Sequence, residues 1–120
     1  MSEPRSIPAT LPLFALELAP DGGRVLVRPV GEVDLLNAGQ VEQSVIELFD
    51  RGFTHVVVDL RRVTFLDSSG VHAILRAHRR SRELKRYMAV MPGKDVSRRI
   101  LELTGVLDLL EVEPTQATVV

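Results

Sequence analysis

Apolar positions along the chain fall into short runs whose period changes several times. Phe14, Leu16 and Leu18 alternate with polar or small residues, a period of two that predicts a β-strand over 13–18. Pro20-Asp21-Gly22-Gly23 interrupts with turn-forming residues and Val25-Leu26-Val27 resumes, so the first two strands are expected to form a hairpin. Pro29 lacks a backbone N–H and is expected at a strand end or sheet edge. Gly31-Glu32-Val33-Asp34 closes the second strand. Ala38, Val41, Val45, Leu48 and Phe49 then recur at helical spacing. Asn37 and Gln40 precede them in the arrangement of a capping box, and Gly52 follows. His55-Val56-Val57-Val58-Asp59-Leu60 has the continuous apolar character of a buried parallel strand. Val71, Ile74, Leu75 and His78 mark a second helix from about Ser69 to Lys85. Tyr87–Met91 reads as a fourth strand, Val96, Ile100 and Leu103 as a third helix ended by Gly105, and Leu109–Val112 as a weak fifth strand.

The order β-β-α-β-α-β-α-β predicts an α/β domain. An N-terminal β-hairpin leads into a mixed, largely parallel sheet of about five strands, packed with three or four helices through right-handed crossovers. Whether the helices cover one face or both stays open. Residues 1–12 carry Pro4, Pro8 and Pro12 and read as a flexible arm; 13–113 form the domain and 114–120 a tail.

Composition narrows the function classes. A chain of 120 residues that is 45% hydrophobic supports one domain with a proper core. The absence of cysteine excludes disulfides, thiolate metal sites and thiol catalysis. No stretch approaches 18 apolar residues and no basic segment precedes a long apolar run, so a cytoplasmic protein without membrane insertion is expected. The net charge of −1 speaks against a dedicated nucleic-acid binder. Residues 76–99 nonetheless hold nine of the 15 Lys+Arg against two acids, Glu83 and Asp95. Arg76, Arg79 and Arg80 form either an ordinary solvated helix face or a partner-binding one; no interleaved aromatics suit them to stack bases. His55, His72 and His78 lack ligand spacing, so no metal or cofactor is expected; His78 falls on the apolar helix stripe, and His72 lies off it, exposed. Neither Gly-x-Ser-x-Gly nor a phosphate-binding Gly-x-x-x-x-Gly-Lys is present, and no catalytic residue is expected.

The segment Phe65-Leu66-Asp67-Ser68-Ser69-Gly70-Val71 carries the most chemistry. It joins a buried strand to a helix, so Asp67-Ser68-Ser69 sits where the first helical N–H groups need acceptors. Ser68 is the expected cap, with Asp67 as competitor. A second serine exceeds what capping requires, and a hydroxyl at a helix start is a natural place to carry or recognise phosphate. On residue chemistry alone both readings of the serines stay open. Asp34 is either a turn residue or a surface group, and Asp59 is expected to be structural.

Gly31-Glu32-Val33-Asp34, then Asp67-Ser68-Ser69-Gly70-Val71, then Pro92 through Leu103-Thr104-Gly105-Val106, in this order and spacing, resemble the STAS domain. In particular the chain is similar, over about residues 13–113, to the bacterial anti-sigma factor antagonists. The resemblance implies a protein of stress response or sporulation that binds an anti-sigma factor, itself a serine kinase, and so frees a sigma factor. The kinase would phosphorylate the serine matching Ser69 and expel the antagonist; a phosphatase acting on phosphorylated Ser69 would reverse the step. The resemblance places Asp34 beside Ser69 and implies a partner-binding surface of Asp34, Asp67, Ser68, Ser69, Gly70, His72 and Arg76, on a monomer or weak dimer. Three residues depart from the family pattern: His72 where many relatives have glycine, Leu84-Lys85-Arg86 where glycines are usual, and Pro29 in place of an apolar strand residue. An alternative is a STAS-fold accessory subunit of a transport or lipid-trafficking ATPase complex; a third reading is a small-molecule or nucleotide sensor.

A phosphate adds about −1.5 to −2 charges at pH 7. At a helix N-terminus the macrodipole favours it by roughly 0.3–1 kcal/mol. Its expected effect is therefore on binding rather than folding.

Overall fold

In the computed structural model, which describes residues 13–114, β1 (Phe14–Asp21) and β2 (Arg24–Val33) form an antiparallel hairpin over a two-residue loop. Gly22 opens that loop at φ 66°, the positive value that primed hairpin turns require. The chain continues through α1 (Ala38–Asp50), β3 (His55–Asp59), β4 (Val63–Leu66), α2 (Ser68–Glu83), β5 (Tyr87–Met91) and α3 (Val96–Leu103). A 3-10 turn (Val106–Leu109) and β6 (Glu111–Val112) complete it. The expected arm over 1–12 and the tail beyond Pro114 lie outside the described residues.

The sheet has six strands in the order β1-β2-β3-β5-β6, with β4 also beside β2. Only the β1–β2 pairing is antiparallel; the others are parallel. β2 is long enough to serve two parallel partners in succession. Val25–Val27 pair with β3, and Gly31–Val33 pair with β4. The sequence reading did not anticipate β4, because its four residues follow the preceding strand after only three residues.

Pro29 therefore lies in mid-strand, opposite Leu16, and not at an end or edge. It falls between the two parallel partners, where β2 has no ladder bonds to lose on that side. Gly31, two residues on, donates to the Arg62 carbonyl on this side, so alternation turns the proline nitrogen toward the gap.

The two sheet faces differ. Val25, Val27, Val56, Val58, Met88 and Val90 join buried residues of α1, α2 and α3 in the main core. Leu26, Val57, Ala89 and Met91 form a smaller cluster on the other face. On that second face Asp59 is wholly buried at the end of β3. Arg61 binds it in bidentate fashion, Nε to Oδ1 and Nη2 to Oδ2, each at 2.9 Å, and Arg28 Nε adds a bond of 3.0 Å. Burial pushes the Asp59 carboxyl up, but these guanidiniums and the Arg61 N–H more than reverse it, leaving it below its ordinary value.

α1 and α3 end just before the glycines the sequence places after them, whereas α2 ends at Glu83, short of the expected Lys85 and without a glycine. After α1, Gly52 at φ 101° donates to the Phe49 carbonyl and Phe53 to that of Leu48, the paired bonds of a Schellman motif. After α2 the same pair runs from Lys85 to Arg82 and from Arg86 to Ser81, with Lys85 forced to φ 57°. The lack of glycine in Leu84-Lys85-Arg86 is thus met by a strained lysine. Buried His78 on α2 holds the edge strand β6, its Nε2 lying 2.6 Å from Glu111 Oε1.

Candidate partner-binding site

The site begins where β2 and β4 end. Gly31, at φ 100°, marks a register shift in the β2–β4 pairing, and a Cβ there would overlap the Leu13 carbonyl oxygen. The last pair of the ladder is Val33 with Leu66. The Val33 carbonyl then accepts from Asp67 N at 3.3 Å, which ties the end of β2 to the residue before α2. Gly70, one turn into the helix, is buried on this junction. A Cβ on it would run into Leu66 Cδ1 and come within 3.0 Å of Val33 Cγ1. The Gly-Glu-Val-Asp and Asp-Ser-Ser-Gly segments are thus sewn together at one end of the sheet.

Asp67, not Ser68, caps the helix. Its backbone is extended, at φ −101° and ψ −174°, and its Oδ1 accepts from Gly70 N at 3.1 Å. The bond to Val33 holds Asp67 in the non-helical conformation a cap requires, whereas Ser68 is already the first helical residue. Both serines are thereby released from capping. Ser68 is exposed and Ser69 half-buried, and neither hydroxyl is bonded to protein among the described residues.

Asp34 follows β2 in a turn whose polar groups bind one another. Its N–H donates to Asn37 Oδ1 and its own Oδ1 accepts from Leu36 N, both at 3.0 Å. Its carbonyl accepts from Asn37 N at 3.1 Å and Ala38 N at 2.8 Å. Asn37 Nδ2 donates back to the Glu32 carbonyl at 2.9 Å. The expected capping box does not form: Asn37 occupies the N-cap position, but its side chain is spent on bracing this turn. The braced turn displays Leu35 and Leu36, 77% and 89% exposed, to solvent. Sequence reasoning passed over this pair. Its signal was two leucines outside both the strand and helix periods.

Of the remaining expected residues, His72 is exposed one turn along α2. Arg76 is not free. Its Nε and Nη2 each lie 2.9 Å from Glu42 Oε1 on α1, bracing the two helices. The structure therefore gathers Asp34, Asp67, Ser68, Ser69 and Gly70 at one end, with His72 adjacent and Arg76 engaged beyond it. Among the described residues no cluster of side chains suits a metal ion, and no helix is long and apolar enough to cross a membrane.

Comparison with known proteins follows the same outline. The STAS domain family model matches residues 15–119. A putative anti-sigma factor antagonist, BtrV of Bordetella bronchiseptica, is 28% identical over 82 residues, 68% of this chain and 71% of its own. The crystal structure of an anti-sigma factor antagonist from Mycobacterium paratuberculosis superposes with a TM-score of 0.73 at 23% identity, covering 85% of this chain and 86% of that one. The Bacillus cell fate determinant SpoIIAA in its phosphorylated form superposes at 0.64 with 23% identity, covering 87% and 92%.

Proposed function

The chain belongs to the STAS domain family, and on that premise we propose that it is an anti-sigma factor antagonist switched off by phosphorylation of Ser69. In its unmodified form it binds an anti-sigma factor that is also a serine kinase and so releases a sigma factor. Asp34, Asp67, Ser68, Ser69, Gly70 and His72 form the docking end, with Leu35 and Leu36 as its apolar part. Relatives named as anti-sigma factor antagonists support the partner class. The observation that carries the reading is the half-exposed, unengaged Ser69 hydroxyl in the first turn of α2, beside an aspartate that already does the capping.

The electrostatics favour release of a partner on phosphorylation. A phosphate on Ser69 joins Asp67 and the Asp34 turn at the docking end. Burying that charge in an interface, or facing it with like charge, costs on the order of several kcal/mol. Each 1.4 kcal/mol is about tenfold in affinity. The domain is ligand and substrate in this scheme, and a phosphatase acting on Ser69 restores binding.

Phosphopeptide mapping of the protein recovered from its own cells tests the reading. The tryptic peptide Val63–Arg76 holds both serines. Phosphate on Ser69 that varies with growth condition is the expected result. A peptide unmodified under every condition would move the accessory-subunit reading ahead. With the anti-sigma factor in hand, Ser69→Ala binds constitutively and Ser69→Glu binds weakly; equal affinities for Ser69→Glu and the native chain would sink the electrostatic account.

A further inference from the structure

We propose that His72 is the positioning residue for a phosphate on Ser69, holding it against the first turn of α2 as an imidazolium–phosphate pair. The inference rests on Ser69 being the modified residue. Helix residues three or four apart are surface neighbours, with about 5–6 Å between Cβ atoms. His72 stands three residues after Ser69 and four after Ser68, all within α2. His72 is exposed and Ser69 half-buried, and neither side chain has a protein partner among the described residues.

Residues 68–75 of α2 hold no lysine or arginine. Gly70, Val71 and Ala73 are buried and uncharged. Arg76, one turn beyond His72, is committed to Glu42 of α1. Carboxylates also stand at this end: Asp67 before the helix, and Asp34 and Glu32 at the end of β2 and the turn that follows. A phosphate here meets repulsion from those acids and attraction from His72.

The pairing makes the switch sensitive to pH. A histidine changes charge between about pH 5 and 8, and phosphoserine takes up its second proton near about pH 6. Each ionisation favours the other when the groups are in contact.

The test uses the full chain with phosphoserine encoded genetically at position 69, so that no kinase is needed. The phosphorus NMR shift is followed against pH. The phosphate midpoint is expected about half a pH unit lower in the native chain than in His72→Gln, and His72→Lys is expected to restore the low midpoint. Midpoints in the native chain and His72→Gln that agree within about 0.1 unit, against a resolvable shift of this size, overturn the pairing. Because the phosphate is installed, this result is independent of whether cells modify Ser69, which the Val63–Arg76 peptide reports separately.

Discussion

Two residues show how local chemistry sets stability away from the docking end. Lys85 holds a left-handed backbone that costs a non-glycine residue roughly 1–2 kcal/mol. Glycine would remove that strain but loses more entropy on folding, so Lys85→Gly is expected to stabilise by about 0.5–1 kcal/mol. A higher urea midpoint at unchanged slope would show it. Asp59 illustrates the opposite case. Its carboxyl is depressed in the folded state, so its contribution is complete above the unfolded value, near about pH 4, and fades as pH falls through the folded value. Asp59→Asn leaves Arg28 and Arg61 without their shared acceptor and is expected to cost about 3 kcal/mol at pH 7. The gap between native and variant should narrow as pH falls from about 4 toward 2 in urea melts. A gap constant with pH would show that the carboxylate's charge is not the source of its contribution.

Among the elements, the junction of β2, β4 and α2 governs the proposed docking end. Gly70→Ala would press a methyl group against Leu66 and Val33 and is expected to cost about 1–2 kcal/mol, read from the denaturation midpoint. The neighbouring β2–α1 turn tests binding without this complication. Leu35 and Leu36 pack on little, so the double variant Leu35→Ser/Leu36→Ser should stay within about 0.5 kcal/mol of native stability. If both leucines become buried by the anti-sigma factor, the same change weakens binding by about 100-fold or more, at roughly 1.5–3 kcal/mol per buried side chain. Calorimetric titration of that complex would measure it, and unchanged affinity would remove the leucines from the interface. These elements were unevenly legible in the sequence. The hairpin, the three helices and the buried strand His55–Asp59 announce themselves by period, and the hairpin, α1 and α3 also by punctuating glycines. β4 does not, because its pairing with the far half of β2 is non-local and four residues are too few to set a period. Pro29 misled for the same reason: only the split partnership of β2 makes a mid-strand proline harmless. At the site, Asp67-Ser68-Ser69-Gly70 could be placed from its strand-to-helix context, but Asp67 over Ser68 as cap depended on the bond from Val33. Leu35 and Leu36 stayed hidden because apolar residues at an element end look like core until their exposure is known.

Across the whole molecule the proposed docking end and the buried ionic cluster are separated. Ser69 and Asp34 lie where β2 and β4 meet α2, whereas Asp59 with Arg28 and Arg61 occupies the opposite face of the sheet. A phosphate on Ser69 therefore touches none of the ion pairs that hold that face. It enters at a helix N-terminus, where the macrodipole contributes roughly 0.3–1 kcal/mol in its favour, and its repulsion from Asp67 acts across a partly exposed turn, where charges are partly screened. The two effects oppose each other. Phosphoserine at position 69 is expected to leave the free energy of unfolding within about 1 kcal/mol of the native value. Paired urea denaturation curves at pH 7 would measure this directly. A loss of several kcal/mol would mean that phosphorylation loosens the fold itself, and partner release would then follow from unfolding of the first turn of α2. Near-equal stability instead leaves the surface charge as the switch, and a binding deficit of the phosphorylated form that shrinks as salt is raised would be its signature.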